Sequence, residues 1–173
     1  MVDFTLDFEL SSASLDSFVK RAGGDLITSH RCMYPEVVAA LLERNIVPLR
    51  SELGDGFAGL LNANESSMQI IFTVGLFNSR SRTGQVAFLF ANVDQPLATP
   101  AINAICDHLF STTAIEKIET DLASPQSDIF TGMTNAGFKV EARFDGSVLW
   151  AGERADLIWL GLFRESMQRK QGI

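Results

Sequence analysis

The sequence has few cysteines and fewer basic than acidic residues, and both features narrow the class of protein. Cys32 and Cys106 are the two cysteines of the chain, and no C-x-x-C pair joins them, which favours a reducing, cytoplasmic setting. The 14 Lys and Arg residues are outnumbered by 21 Asp and Glu residues, and the net charge is -7. Because no basic cluster could follow a phosphate backbone, we expect no nucleic-acid partner.

The sequence also lacks a long apolar run and a basic, apolar signal segment at its start. No apolar run approaches the roughly 20 residues that span a bilayer, and the chain opens on the acidic stretch MVDFTLDFE. We therefore expect a soluble, cytoplasmic protein with no membrane partner. With 173 residues, of which 46% are hydrophobic, the chain has about the length of one domain and can bury a core.

The first 55 residues predict one strand followed by two helices. Apolar and polar residues alternate over 3–10, which is the period of a half-buried strand. Residues 14–21 carry apolar side chains at helical spacing, and Pro35 opens a second helix that ends near Asn45.

The middle of the chain predicts a three-stranded meander and then a crossover helix. The strands are 57–63, 68–77 and 85–91, the second of which (MQIIFTVGLF) is apolar enough for the middle of a sheet. A polar turn, NVDQPLATP, follows them. Thr99 then caps the helix, with Pro100 at its first position.

The C-terminal part of the sequence predicts a strand and a helix, then two more strands and a polar tail. A strand over 117–122 precedes a helix that restarts at Ser124-Pro125 and ends at Gly137, where glycine supplies a left-handed cap. Two last strands are linked by an excursion containing Asp145-Gly146 and Ala151-Gly152. The predicted strands are 139–144 and 154–163, and the polar tail from residue 164 is expected to fray.

Four stretches, in this order and spacing, resemble the GNAT N-acyltransferases, and most of all the branch of Rim-type ribosomal-protein N-acetyltransferases. They are AINAICDHLF (101–110), KIETDL (117–122), TNAGF (134–138) and GERADLIWLGLFRE (152–165). The resemblance implies an α/β (α+β) fold with a mixed, mostly antiparallel central sheet of about seven strands flanked by helices. It also implies a single domain, divided into 1–55, a core over 57–138, a strand pair over 139–165 and a tail over 166–173.

The family holds acetyl-CoA on a glycine-rich turn between the fourth strand and the next helix. Here Asp94 and Pro96 stand where glycines are expected; proline lacks the N–H that binds phosphate, and aspartate brings a negative charge toward it. Cofactor use is therefore predicted to be altered or lost. The resemblance places the cofactor-binding positions at Phe90, Ala91, Asn92, Gln95, Leu97, Ala98, Thr99 and Gln126.

The positions that carry the chemistry in relatives also differ in this chain. Gln85 stands at the family's carboxylate on the fourth strand and Met133 at its tyrosine, and neither can act as a general acid or base. The remaining catalytic candidates are Glu119 and Asp121 on the fifth strand, together with Tyr34, which a loop could bring to the cleft. Alternation along the fifth strand equally allows the two carboxylates to face solvent.

Two functions follow from these residues. The first is transfer of an acetyl group from acetyl-CoA to an amine of a small molecule or of a protein N-terminus. The second is a catalytically degenerate GNAT-like domain that acts as a binding or assembly module, with a homodimer or another protein as its partner. The ordered family match favours the first, and the substitutions at the cofactor turn and the catalytic positions favour the second.

Overall fold

The structure is a computed structural model that describes residues 3–8, 11, 13–14, 17–18, 20, 26–28, 57–64, 66–78, 80–124, 127–150 and 152–171. The helix predicted from Pro35 and the candidate Tyr34 lie outside the described residues. In the helix predicted over 14–21, the described residues are helical, and Phe18 is fully buried.

The described chain forms one mixed sheet with helices beside it. Seven strands lie in the order β1-β3-β4-β5-β6-β8-β7, and β2 pairs with β5 outside this path. The strands are β1 Phe4–Asp7, β2 Leu26–Thr28, β3 Phe57–Ala63, β4 Gln69–Asn78, β5 Thr83–Ala91, β6 Lys117–Ala123, β7 Lys139–Trp150 and β8 Glu153–Phe163. The helices are α1 Gln95–Thr112, α2 Ser127–Ala136 and α3 Arg164–Gln171.

This architecture confirms the predicted fold class, a mixed and mostly antiparallel sheet of about seven strands. Among the described strand pairs, β5 with β6 is the parallel one, and the others are antiparallel. The parallel pair is joined through α1, as a crossover connection requires. No helix in the described ranges has the length and apolar character needed to cross a membrane.

The main core lies on one face of the sheet, against α1 and α2. Every residue of β5 is buried, and alternate side chains of that strand, Val86, Phe88 and Phe90, join the core cluster. From α1 and α2, the cluster includes Ile102, Ile105, Cys106, Leu109, Ile129 and Met133. The helical spacing of these apolar residues places them along one face of each helix, which is the face that packs on the sheet.

The first crossover helix begins earlier than the sequence predicts. We expected it to start with Thr99 as cap, but α1 starts at Gln95 with Asp94 as N-cap and Pro96 in its first turn. Two prolines compete for the favourable first turn, and the one nearer the strand occupies it. Pro100 therefore lies inside the helix, and the hydroxyl of Thr99 donates to the backbone oxygen of Gly132 in α2 at 3.3 Å.

The excursion predicted between the last two strands is instead a continuation of β7 into a long hairpin. β7 runs to Trp150 and turns at Gly152, whose φ is +85°. The strand register shifts between Phe144 and Val148. The N–H of Gly146 in this bulge donates to Asp156 Oδ1 at 2.9 Å, so an Asp-Gly pair forms a bulge here rather than a chain reversal.

The polar tail does not fray as predicted, because it forms helix α3. Met167 is 5% exposed and packs on the core. Arg164 donates to the backbone oxygens of Thr113 and Ile115, and its Nε lies 3.2 Å from Glu116 Oε2. One buried apolar side chain and one arginine thus attach the helix to the end of the sheet.

A candidate active site where two parallel strands diverge

The parallel strands β5 and β6 stay paired over a short distance only. Residues 83–85 of β5 face 117–119 of β6, and Gln85 opposite Glu119 is the last pair. Beyond it the two strands part, which leaves an opening at their carboxyl ends. Ligands of open α/β sheets bind in crevices of this kind.

The opening has a polar lining on the face of the sheet opposite the main core. Gln85 and Glu119 lie on the same face because they are register partners, and Asp121 follows Glu119 by two residues, which returns to that face. Thr73 pairs with Ala87 on the neighbouring strands, so it joins them. We call these four residues, Thr73, Gln85, Glu119 and Asp121, the polar floor.

Most polar groups of the floor are buried rather than solvated. Thr73, Gln85 and Asp121 are 1%, 8% and 1% exposed. The hydroxyl of Thr73 has no hydrogen-bond partner among the described residues, and neither has Oε1 of Gln69, which lies on the same face of β4. A buried polar atom without a partner costs free energy unless a ligand or water satisfies it.

Three charged residues are held together at the closed end of the floor. Lys117 Nζ donates to Glu119 Oε1 at 2.7 Å and to Glu141 Oε2 at 2.8 Å. Glu141 reaches across β8 over Gly161, where a Cβ atom would lie 2.4 Å from its Oε1, so only glycine leaves room for this path. Glu119 is therefore fixed in place at the last paired position of β5 and β6.

The two carboxylates also change the titration of the lysine. Partial burial by itself lowers the pKa of Lys117, but the hydrogen bonds to Glu119 and Glu141 and their charges outweigh it and raise the pKa above its ordinary value. The folded state thus binds this proton more tightly than the unfolded chain does.

This raised pKa predicts a stability difference that depends on pH. The contribution of Lys117 is fully present below the unfolded pKa of about 10.4 and is lost as the pH rises through the higher folded value. We expect the difference in unfolding free energy between wild type and Lys117→Met to shrink above about pH 10.4. Urea unfolding at several pH values measures it, with Lys139→Met on the exposed edge as control. A difference that stays constant across this range would contradict the prediction.

The other end of the opening meets the start of α1, where the cofactor-binding positions were predicted. Phe90 and Ala91 end β5 and are fully buried, Phe90 in the main core. Asn92 adopts a left-handed conformation with φ of +52°. Gln95, Leu97, Ala98 and Thr99 form the first turns of α1, and Gln126 lies outside the described residues.

The start of α1 differs from an open phosphate cradle. The backbone oxygen of Asp94 accepts from the N–H groups of Leu97 and Ala98, both at 2.9 Å, and Pro96 has no N–H to offer. The Asp94 carboxylate is held near the turn by Ser66, whose Oγ lies 3.3 Å from Oδ2. The negative charge predicted from the sequence is therefore located at the helix N-terminus, where it opposes a second anion.

The short strand β2, which the sequence did not predict, pairs with residues 89–91 of β5. The register is antiparallel, with Leu26 opposite Ala91, Ile27 opposite Phe90 and Thr28 opposite Leu89. Since β4 covers the other edge of β5 along its whole length, β2 lies on the same edge that β6 leaves after Gln85. The short strand occupies the mouth of the opening.

Two titratable side chains outside the floor, Asp156 and Cys106, have structural roles. Asp156 accepts from Arg143 Nε at 3.0 Å and from the N–H of Gly146, and these bonds lower the pKa of its carboxyl group. It holds the bulge of β7. Cys106 is fully buried on α1, and burial raises the pKa of its thiol, which keeps it protonated and unreactive.

Sequence reasoning placed Glu119 and Asp121 on β6 but missed the residues around them. Lys117 could have been found, because it precedes Glu119 by two residues on the same strand face. Glu141 and Thr73 could not, since their proximity depends on the register of β7 and β4 and on the bulge between Val140 and Ala142.

No protein-family model and no curated protein sequence matches the chain. Its fold, however, matches solved acetyltransferases. A chimera of the spermidine N-acetyltransferase SpeG from Vibrio cholerae with hSSAT gives a TM-score of 0.72 at 14% identity, covering 95% of this chain and 98% of that one. The Vibrio cholerae enzyme in complex with CoA and spermine gives 0.69 at 13% identity, covering 95% and 98%.

A dodecameric form of the same Vibrio cholerae enzyme gives a TM-score of 0.68 at 13% identity, covering 96% of this chain and 97% of that one. At these identities the matches show the fold alone. The described part of the chain has the fold of the GNAT acetyltransferases. The Rim-type resemblance stays a prediction.

Proposed function

We propose that the protein is an N-acyltransferase that transfers an acyl group from acetyl-CoA, or a related acyl-CoA, to an amine. The observation that carries the proposal is the divergence of β5 and β6 immediately beyond Gln85 and Glu119, with the carboxylates of β6 on the polar floor of the opening. This arrangement lies within a fold shared with solved spermidine N-acetyltransferases.

The acyl donor fits one part of the opening better than the other. When bound, acyl-CoA supplies an acyl group activated as a thioester. Its amide-bearing arm suits the edge of β5 beyond Gln85, where β6 no longer pairs with that strand. Its phosphates would meet the start of α1, where Asp94 and Pro96 weaken the attraction.

The polar floor supplies what the amine needs. An amine is protonated at neutral pH and must lose a proton before it can act as a nucleophile. We assign the proton acceptor to Asp121, which lies two residues beyond the last β5–β6 pair, in the part of β6 that lines the opening. Glu119, fixed by Lys117, attracts the ammonium group, and the Thr73 hydroxyl and Gln85 amide orient it.

Charge favours a cationic acceptor. The protein carries a net charge of -7, and the floor itself holds two carboxylates, Glu119 and Asp121, of which Glu119 is paired with Lys117. Such a field concentrates amines near the opening. The Rim-type resemblance makes a protein N-terminus one candidate acceptor, and the matched spermidine N-acetyltransferases make a small polyamine another.

Calorimetric titration with acetyl-CoA tests the proposal at its first step. We expect a saturable binding heat with a dissociation constant weakened to the range of about 10 µM to 1 mM by the altered turn. An absence of binding at millimolar acetyl-CoA would contradict the proposed function.

Asp94→Asn tests the charge at the helix start. The variant keeps an N-cap residue and its size but removes the negative charge, so we expect acetyl-CoA to bind about three- to tenfold more tightly. Loss of a favourable charge at the helix N-terminus should lower stability by only about 0.3–1 kcal/mol. Asp145→Asn, the same change at the exposed edge of the sheet, is the control. Unchanged or weaker binding by Asp94→Asn would show that the carboxylate does not oppose the cofactor.

A second candidate function rests on β2. A domain whose opening is filled by its own strand, and whose phosphate turn carries Asp94 and Pro96, could serve as a binding or assembly module without catalysis. A homodimer or another protein would then be its partner. This candidate predicts no acetyl-CoA binding even when β2 is removed from the edge.

A further inference from the structure

The edge of β5 is used by two different strands, one after the other. Residues 83–85 pair with β6 in parallel, and residues 89–91 pair with β2 in antiparallel register. The backbone of residues 86–88 lies between these two pairings. An extended chain that bears amide groups can therefore dock on this edge, since β2 already does so.

A ligand that enters the opening from the carboxyl ends of β5 and β6 reaches residues 89–91 first. Its amide groups would need the same N–H and C=O groups that β2 uses, and a strand edge accepts one partner at a time. The ligand and β2 are thus alternatives at this position. The turn to α1 follows directly at Asn92, so residues 89–91 lie between the helix start and the polar floor along this edge.

We propose that β2 is an exchangeable strand: it closes the ligand edge of β5 in the free protein, and acyl-CoA binds by taking its place. This inference rests on the proposed function, because it identifies acyl-CoA as the competitor. It goes beyond that function in assigning residues 26–28 as an autoinhibitory element.

The size of β2 is consistent with exchange. The strand has three residues and pairs along one edge with β5. Strands this short lie at the lower limit of those found in proteins, and opening of such peripheral units costs less free energy than global unfolding. The apparent dissociation constant is the intrinsic one divided by the fraction of molecules in which the edge is open. If the edge is open in about one molecule in ten, release of the strand tightens binding about tenfold.

A reversible disulfide cross-link between β2 and β5 provides the test. Leu26→Cys with Ala91→Cys introduces two cysteines at register partners, and paired residues of antiparallel strands are separated by the distance that a disulfide spans. Cys32→Ser removes a competing thiol, and Cys106 is buried. The same protein is titrated with acetyl-CoA before and after oxidation, and disulfide formation is verified by mass spectrometry.

We expect the oxidised protein to bind acetyl-CoA at least about 100-fold more weakly than the reduced protein. A second variant, Ile27→Pro, removes the N–H and strand geometry at the middle of β2 and should bind more tightly than wild type, with Ile27→Val as its conservative control. Hydrogen exchange gives a third readout. On addition of acetyl-CoA to wild type, the amides of residues 26–28 should exchange faster, while those of residues 89–91 stay protected.

The outcomes separate the two proposals. Equal binding by the oxidised and reduced forms, or unchanged protection of residues 26–28 on binding, would overturn strand exchange and leave the acyltransferase function standing. If no form binds acetyl-CoA, including Ile27→Pro, the acyltransferase function itself is wrong. Binding by wild type that tightens when the strand is released and is lost when it is locked supports both.

Discussion

Asp121→Asn is expected to lower kcat/KM for acyl transfer by about 10²- to 10⁴-fold, which is the contribution of a positioned general base. Asparagine has nearly the same size and can keep neutral hydrogen bonds, but it cannot accept the proton of the amine. The carboxylate is 1% exposed on the polar floor, beyond the last β5–β6 pair. Because Asp121 does not lie at the start of α1, binding of acetyl-CoA should be unchanged within about threefold.

Glu141→Gln is the matched control for this variant. It makes the same chemical change on the same face of the sheet, but its carboxylate contacts Lys117 rather than the opening. We expect a change in kcat/KM of less than about tenfold, arising from the looser hold of Lys117 on Glu119. Steady-state kinetics and thermal unfolding are measured on both variants. Equal losses in the two, or a fully active Asp121→Asn, would remove Asp121 from the role of base.

The second large effect concerns stability. Phe88→Ala should lower the unfolding free energy by about 3–5 kcal/mol, the range for an aromatic side chain removed from a packed core. Phe88 is fully buried on β5, with its ring 6.2 Å from that of Phe90. Since β5 also carries the ligand edge, the loss should be accompanied by faster exchange of its amides. Urea unfolding with an unchanged m-value measures the difference.

Phe144→Ala is the control, because it makes the same substitution at an exposed position. The ring of Phe144 is 47% exposed on the edge strand β7, so removing it leaves no closed cavity. A loss of no more than about 1 kcal/mol is expected. A loss as large as that of Phe88→Ala would mean that the exposed ring is covered in solution by another surface, and a small loss for Phe88→Ala would contradict the assigned core.

Much of the sheet could be predicted because its signals are local. The run MQIIFTVGLF predicts a buried central strand, and β4 occupies Gln69–Asn78. The prediction that Gly137 ends a helix is also confirmed: its φ is +110°, and the N–H of Phe138 donates to the oxygen of Met133 at 3.0 Å, as in a Schellman cap. Periodicity and glycine conformation were sufficient at these places.

Elements that depend on distant partners could not be predicted. β2 is three residues long, too short for a periodic pattern, and it exists because β5 offers an edge that β6 leaves. Helix α3 forms from a polar tail because Met167 and Arg164 find partners at the end of the sheet. The bulge at Gly146 depends on Asp156, ten residues further along the chain.

The candidate site, too, could be predicted only where the signal in the sequence is local. Alternation predicts that Glu119 and Asp121 share one side of their strand, but it does not say whether that side faces solvent. The register with Gln85 and the burial of Asp121 place them on a floor. The cluster of Lys117 and Glu141 depends on three strands and on the absence of a side chain at Gly161, and no local pattern in the sequence reports that.

Acyl transfer itself is the most direct test of the acyltransferase assignment. The protein is incubated with acetyl-CoA and a panel of amines, including spermidine and a peptide with a free N-terminus, and the acceptor masses are measured alongside release of the CoA thiol. We predict that at least one amine gains one acetyl group per thiol released, at a rate that falls at least about 100-fold in Asp121→Asn. Thiol release without any acetylated amine, or no more product with wild type than with no protein, would contradict the account. Equal rates for wild type and Asp121→Asn would contradict the role of Asp121.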